Sequence, residues 1–538
     1  MDTSPPLPPT PPSSSLAPTS GDAVAVHPTA DHAELASATA RRWWERLERW
    51  AEWGSEQVNP ILVKEARQAL KSNHFVVTFL LLLACAWGWS LLGILAQMPD
   101  IQFNGGGLSM LEGYFFVMIV PLLLVVPFSA FRSLAAERED GTFELMSITT
   151  LNARQIVAGK LASTFLQIML YASALTPCIA FTYLLRGVDV LTICFVIYYT
   201  VAFSIFLSTL GLLIATVTRA RHWQILLSIV LLLGLLIALW TWAVFVVEVV
   251  FEERLFTPAG DPLFWLVQLA LACGYISLGV LMVQAAASRI TFSSDNRSTR
   301  QRVTILIQHA MLLGWMSYFF YDQRDADLVY VTMILAGMYA AFTGGLMIGE
   351  QPQLSPRVAR SLPKTAAARL LFTLFNPGSG TGYLYTVANL TAVLVTCVGM
   401  GIAGVSMGRS LNSQWLGFIL LIWAYVTAYL GLSRLVVLGC RRLVRIPETF
   451  SILVVAILAT AGIALPLACE SSVRGISRFD YSVLQSSNWF WTLEQAERLD
   501  MLTIHPEVMV LVIGAALLMI LANMALSRRE LSAVVHES

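Results

Sequence analysis

Apolar runs of about 20 residues or more recur along this chain, and no other feature narrows its fold so far. As helix, one such run crosses the roughly 30 Å of hydrocarbon in a bilayer. Twelve are readable: 75–96, 113–134, 161–184, 190–217, 223–248 and 263–287, then 303–320, 328–349, 383–407, 414–436, 449–469 and 507–526. A strand surrounded by lipid leaves its backbone unpaired, so every run is expected to be helical. The expectation is an all-α, polytopic transmembrane protein of about twelve spans. Composition agrees: 57% of residues are hydrophobic, only 13% are charged, and the mean hydropathy is +0.68. An ordinary soluble domain with a large core is excluded on those figures. Pro121, Pro127, Pro177 and Pro466 fall inside runs, where neighbouring helices make kinks tolerable.

Lys and Arg give the orientation, because they concentrate on the cytoplasmic side. With the N-terminus inside, only Arg186, Arg254, Arg324, Arg409, Arg474, Arg478 and Arg498 of the 34 basic residues fall outside. The chain is therefore expected in the inner (plasma) membrane, multi-pass, with both termini cytoplasmic. Positions 1–40 read as a disordered Pro/Ser-rich tail without the apolar core of a signal peptide. Positions 41–74 read as amphipathic interfacial helices. Trp43, Leu47 and Trp50 share one face, and so do Val58, Leu62, Ala66 and Ala69, with Lys64, Arg67 and Lys71 pointing elsewhere.

The spans divide into two sets of six, 75–290 and 291–526, followed by a cytoplasmic tail at 527–538. Each set opens on a basic segment (58–74, then 289–302) and carries a long inside loop after its second span (135–160, then 350–382). Each also has a widened outer link before its last span. In the second set that link holds "NWFWTLEQAERLDML", expected as short helices at the outer interface. No residue-level identity joins the sets, so the repeat is one of layout, and chance division of a twelve-span chain stands as the alternative.

One loop departs from the apolar background. "EREDGTFELM", 137–146, carries Glu137, Arg138, Glu139, Asp140 and Glu144, a net −3 on the side facing an anionic leaflet. That sign disfavours lipid and favours a basic protein surface. Gly141 breaks the helix, and Phe143, Leu145 and Met146 offer apolar contact beside the charges. Asn152 with Gln155 has the spacing of a capping box that restarts the helix through Gly159 and Lys160 into the third span. A solvated loop kept soluble by its carboxylates is the plainer alternative.

"AEREDGTFELMSITTLNARQIVAGKL" resembles the cytoplasmic loop of the type-2 ABC exporter permeases, whose pattern is E-x-E, G-T-L/F-E, a turn and a helix with G-K. Glu137, Glu139, Gly141, Thr142, Phe143, Glu144, Leu151, Ile156, Gly159 and Lys160 match, while Thr150 stands where Pro is common and Asn152 where Ser is common. "NPILVKEARQAL" is similar to the elbow before the first span of such permeases. The resemblance covers residues 58 to about 290. It implies a transport subunit, not an enzyme, powered by a separate cytoplasmic ABC ATPase dimer that docks on residues 137–146, with Asn152, Gln155, Gly159 and Lys160 continuing the coupling helix. ATP and Mg would sit on that partner; this chain is expected to hold no cofactor, no metal and no catalytic residues. Besides the bilayer, a second permease chain is the further partner the resemblance allows, and no nucleic acid is expected. The second loop, "EQPQLSPRVARSLPK", lacks the acidic signature, which leaves open whether it docks an ATPase.

No Walker-A pattern occurs: "NPGSGTGYLY" has the glycines without the lysine and reads as a flexible lead into the ninth span. An ion-coupled secondary transporter is the main rival. Its spans would carry central ionisable groups, and here they are nearly empty of them: His309 lies in the seventh, Glu248 at the outer end of the fifth and Arg434 near the inner end of the tenth. A polytopic membrane enzyme is the weaker rival, because no HExxH, paired Cys/His or D-x-D gathers on either rim. The seven cysteines form no CxxC pair and read as small apolar packing residues.

Overall fold

Each apolar run forms one helix in the computed structural model, which describes residues 60–98, 106–139, 152–185, 188–217, 221–252, 260–291, 296–323, 325–351, 373–406, 414–444, 446–474 and 481–537. The tail at 1–40, the Trp43–Trp50 stretch, Val58, the segment Asp140–Met146 and most of the second long loop lie outside those residues. All regular structure among them is helical, and twelve helices are long and apolar enough to cross a membrane. The chain is a multi-pass, all-α membrane protein.

A short amphipathic helix, α1 (Pro60–Lys71), comes first, burying Ile61 and partly burying Leu62, Glu65, Ala66 and Ala69. The first six spans are α2 (Asn73–Gln97), α3 (Gly107–Glu139), α4 (Ala153–Leu184), α5 (Val190–Ala215), α6 (Arg221–Phe251) and α7 (Pro262–Ile290). Next come α8 (Thr299–Gln323), α9 (Leu328–Met347), α10 (Ser379–Ser406), α11 (Trp415–Leu443) and α12 (Phe450–Arg474). A 3-10 turn (Val483–Ser487), α13 (Trp489–Arg498) and α14 (Met501–Ile504) precede the last span, α15 (Pro506–Glu537). The short helices expected in the link before that span are therefore present. Tyr425 Oη donates to Ser486 O at 2.7 Å, and Trp489 Nε1 to Ala459 O at 3.2 Å, fixing the link over α11 and α12.

Several spans outrun their apolar runs. Helix α3 reaches Glu139, five residues past the run, because Phe131, Leu134 and Ala135 still bury against neighbours while the last turn turns polar. Pro121 lacks the N–H that would continue the ladder, and the helix widens there into a π turn over Pro121–Val125. Ser204 Oγ of α5 donates to Leu122 O at 2.5 Å, satisfying a carbonyl within that turn. Helix α5 meets α3 with a stripe of small residues, Ser204, Ser208, Gly211 and Ala215. A Cβ at Gly211 would come within 2.9 Å of Pro127 O, so the close crossing requires glycine.

The sets of six have one pairing plan. In each, the first span packs on the second and third, the second on the third, fourth and fifth, the third on the fourth and sixth, and the fourth on the fifth and sixth. Each set closes its own apolar core, one drawn from residues between Leu82 and Phe251 and the other from residues between Phe320 and Ala516. The layout repeat is thus a repeat of packing as well. The main helix–helix contact between the sets is α7 against α8. That seam is polar. Gln301 Nε2 donates to Ser288 Oγ (2.8 Å), Thr304 Oγ1 to Gln284 Oε1 (3.0 Å) and Gln308 Nε2 to Ser277 Oγ (3.4 Å).

Candidate functional site

The helix ends nearest the acidic segment meet at a buried lysine. On α4, Ile156, Val157, Gly159, Lys160, Ser163 and Thr164 form the buried face. Lys160 is only 1% exposed. Its Nζ lies 3.0 Å from Glu137 Oε1, on the last turn of α3, and 3.1 Å from Glu65 Oε1 of α1. A buried ammonium is tolerable only when paired, and these carboxylates supply the pairing from the two elements flanking it. Ile61 of α1 packs on Ile156 of α4, with Ile290 of α7 against them, so an apolar contact lies near the ionic one.

Arg138 turns the other way. Its Nη1 donates to Thr216 O at 2.8 Å and Ala215 O at 3.3 Å, capping the C-terminal carbonyls of α5. Glu139 is exposed. At the start of α4 the Asn152 N–H donates to Gln155 Oε1 at 2.9 Å, the reciprocal bond expected of a capping box. Of the residues singled out in the sequence, the structure therefore joins Glu137 and Lys160, ties Arg138 to α5, and sets Asn152 and Gln155 at the helix start. Gly159 is buried on the same face as Lys160. Asp140, Gly141, Thr142, Phe143, Glu144, Leu145 and Met146 fall outside the described residues. Glu65 is the partner that sequence reasoning missed; the signal was an acid on the half-buried face of an otherwise basic helix.

The equivalent junction of the second set is wired differently. Arg302, in the first turn of α8, has no exposed surface. Its Nη2 donates to Glu350 Oε2 at 2.7 Å and to Gly378 O at 3.2 Å, and its Nη1 to Leu374 O at 2.7 Å, Thr381 Oγ1 at 3.1 Å and Asn376 O. Glu350 also accepts from Ser298 Oγ and from the Gly378 N–H, each at 2.7 Å. Gly378 has φ +145°, a conformation open chiefly to glycine. Carbonyls of "NPGSGTGY" thus point at a guanidinium, a polarity opposite to that of a phosphate-binding loop, and the expected flexible lead is a bonded turn. Arg441 of α11 donates to Glu350 O at 2.7 Å and to Gly349 O. In the first set an arginine on the second span caps the fourth; in the second set an arginine on the fourth caps the second.

Glu248 is exposed in a π turn at the end of α6. Arg434 is buried and donates to Asn523 Oδ1 at 2.8 Å. His309 is buried, with Nδ1 donating to Ile305 O at 3.0 Å and its ring against Tyr339. Among the described residues, no group of three or more His, Cys, Asp or Glu side chains could hold a metal ion. All seven cysteines are free thiols. What the arrangement does chemically is mechanical: charged side chains lock together the helix ends that flank residues 140–151 in the chain. No family model, curated protein or solved structure matches this chain. The fold and this junction define a twelve-span membrane protein built from two sets of six spans with one packing plan.

Proposed function

We propose that this chain is the membrane permease of an exporter driven by a separate cytoplasmic ATPase that grips the 137–160 segment. The observation that carries the reading is the Glu65–Lys160–Glu137 cluster at the base of a segment whose sequence resembles the coupling loop of type-2 ABC permeases. A push on residues between Glu139 and Asn152 enters α3 and α4 together, because Lys160 bridges them. Glu65 passes the same displacement to α1, and Arg138 passes it to α5. The bridging contacts are short, buried and charged, so helix ends shift as one body before any single bond opens. Toward mid-span, the π turn at Pro121–Val125 is the place where α3 bends most readily. The spans lining any pathway are poor in charge, which suits amphipathic or lipid-like cargo.

Glu137 serves the internal cluster, so the docking charge falls to Glu139, Asp140 and Glu144. Reversing Glu139 and Glu144 together to Lys is expected to abolish co-purification of the ATPase from native membranes while leaving membrane insertion intact. Retained co-purification contradicts docking at this segment. An ion-coupled carrier is the second reading, favoured by one observation: His309 Nε2, inside a span, has no hydrogen-bond partner among the described residues. Solute movement in proteoliposomes under a pH gradient alone, without ATPase, selects that reading instead.

A further inference from the structure

The two sets of spans share a packing plan but not the bonds at the foot of their long loops, and the difference bears on which set can move. We infer that the motor works on the first set alone and that the second set is the fixed side of the protein, its loop pinned by Arg302. This rests on the reading of the chain as an ATPase-driven permease.

In the first set the loop's two ends are held by one ammonium. Lys160 is a point charge on a flexible stem, and its partners are side-chain carboxylates. Such a contact keeps its strength while the joined helix ends shift together, because neither partner demands a fixed plane. Arg138, on the α3 side of the loop, ties that end to the carbonyls closing α5.

In the second set both loop ends are bound to one planar fork. Arg302 takes Glu350 from the entering side and the carbonyls of Leu374, Asn376 and Gly378 from the leaving side. Glu350 accepts in turn from the Gly378 N–H, so entry and exit are also bonded to each other. Arg441 adds α11 to the same knot. A guanidinium with no exposed surface cannot follow a moving loop without leaving buried donors unpaired. The charge sign points the same way: between positions 350 and 373 the sequence carries Arg357, Arg360, Lys364 and Arg369, and Glu350 itself is consumed by Arg302. A motor surface complementary to Glu139 and Glu144 is repelled there.

The test is hydrogen–deuterium exchange on the chain purified from native membranes with its ATPase, with and without ATP and vanadate. Nucleotide trapping is expected to change protection in peptides covering 61–71 and 152–165, and to leave those covering 345–351 and 373–385 unchanged. Equal changes in both sets overturn the one-sided assignment while the ATPase-driven reading survives. Recovery of no nucleotide hydrolase at all removes the parent reading and this inference together. A Glu350→Gln variant of the same complex checks the pin itself: exchange at 373–385 should rise. Unchanged exchange there means that Arg302 and Glu350 do not hold the segment, and the inference fails.

Discussion

Lys160 carries more of the account than any other residue, because three elements meet on its ammonium. Removing it leaves Glu65 and Glu137 facing one another with the cation gone. Lys160→Met should therefore cost about 3–5 kcal/mol, the usual penalty for breaking a buried ion pair from one side. Neutralising all three, as Glu65→Gln, Glu137→Gln and Lys160→Met, should recover most of the loss. Thermal unfolding of the purified variants in one detergent checks this, and a triple variant no more stable than Lys160→Met argues against the cluster. The residue scale is also where sequence reading reached least far. Lys160 and Glu137 were readable from the motif, yet their mutual bond was not, and Glu65 was hidden as one acid among Lys64, Arg67 and Lys71. Arg302 was invisible for a plainer reason: most of its acceptors are backbone carbonyls, which leave no trace in side-chain identity.

At the scale of elements the sequence spoke clearly. Every apolar run became a span, because run length against hydrocarbon thickness leaves a helix little freedom. Helix ends were less legible. The last turn of α3 is polar, and only its packing against α4 and α5 keeps it helical to Glu139. Close crossings are set by single glycines in ways that hydropathy does not encode. Gly211 faces Pro127 O, whereas a side chain at Gly234 would meet open space. Gly211→Val should push α3 from α5 and cost about 1–3 kcal/mol, and Gly234→Val should leave stability nearly unchanged. The comparison of melting temperatures between these two variants reads the α3–α5 approach directly; equal losses mean that the crossing is looser than the geometry indicates.

For the whole molecule, the repeated pairing plan gives each set of six spans a main apolar core of its own. The layout repeat was visible in the sequence; its packing was not, because the two sets reach the same pairings with different residues. Their junction is the polar α7–α8 seam, where each interhelical bond contributes about 0.6–2 kcal/mol. A chain cut between positions 291 and 296 and co-expressed as two pieces should assemble, and a tag on one piece should recover the other. Replacing Gln284, Gln301 and Gln308 with Ala should weaken that recovery. Recovery unaffected by the three replacements would place the binding energy outside the seam.

The claim on which everything else depends is that a nucleotide-driven partner holds the segment following α3. A photoreactive phenylalanine analogue placed at Phe143, illuminated in native membranes, interrogates that contact in a single step. The account predicts a covalent adduct with a cytoplasmic ATP-hydrolysing protein, lost when Glu139 and Glu144 are reversed to Lys. Adducts with lipid or with this chain alone, unchanged by the charge reversal, would contradict it.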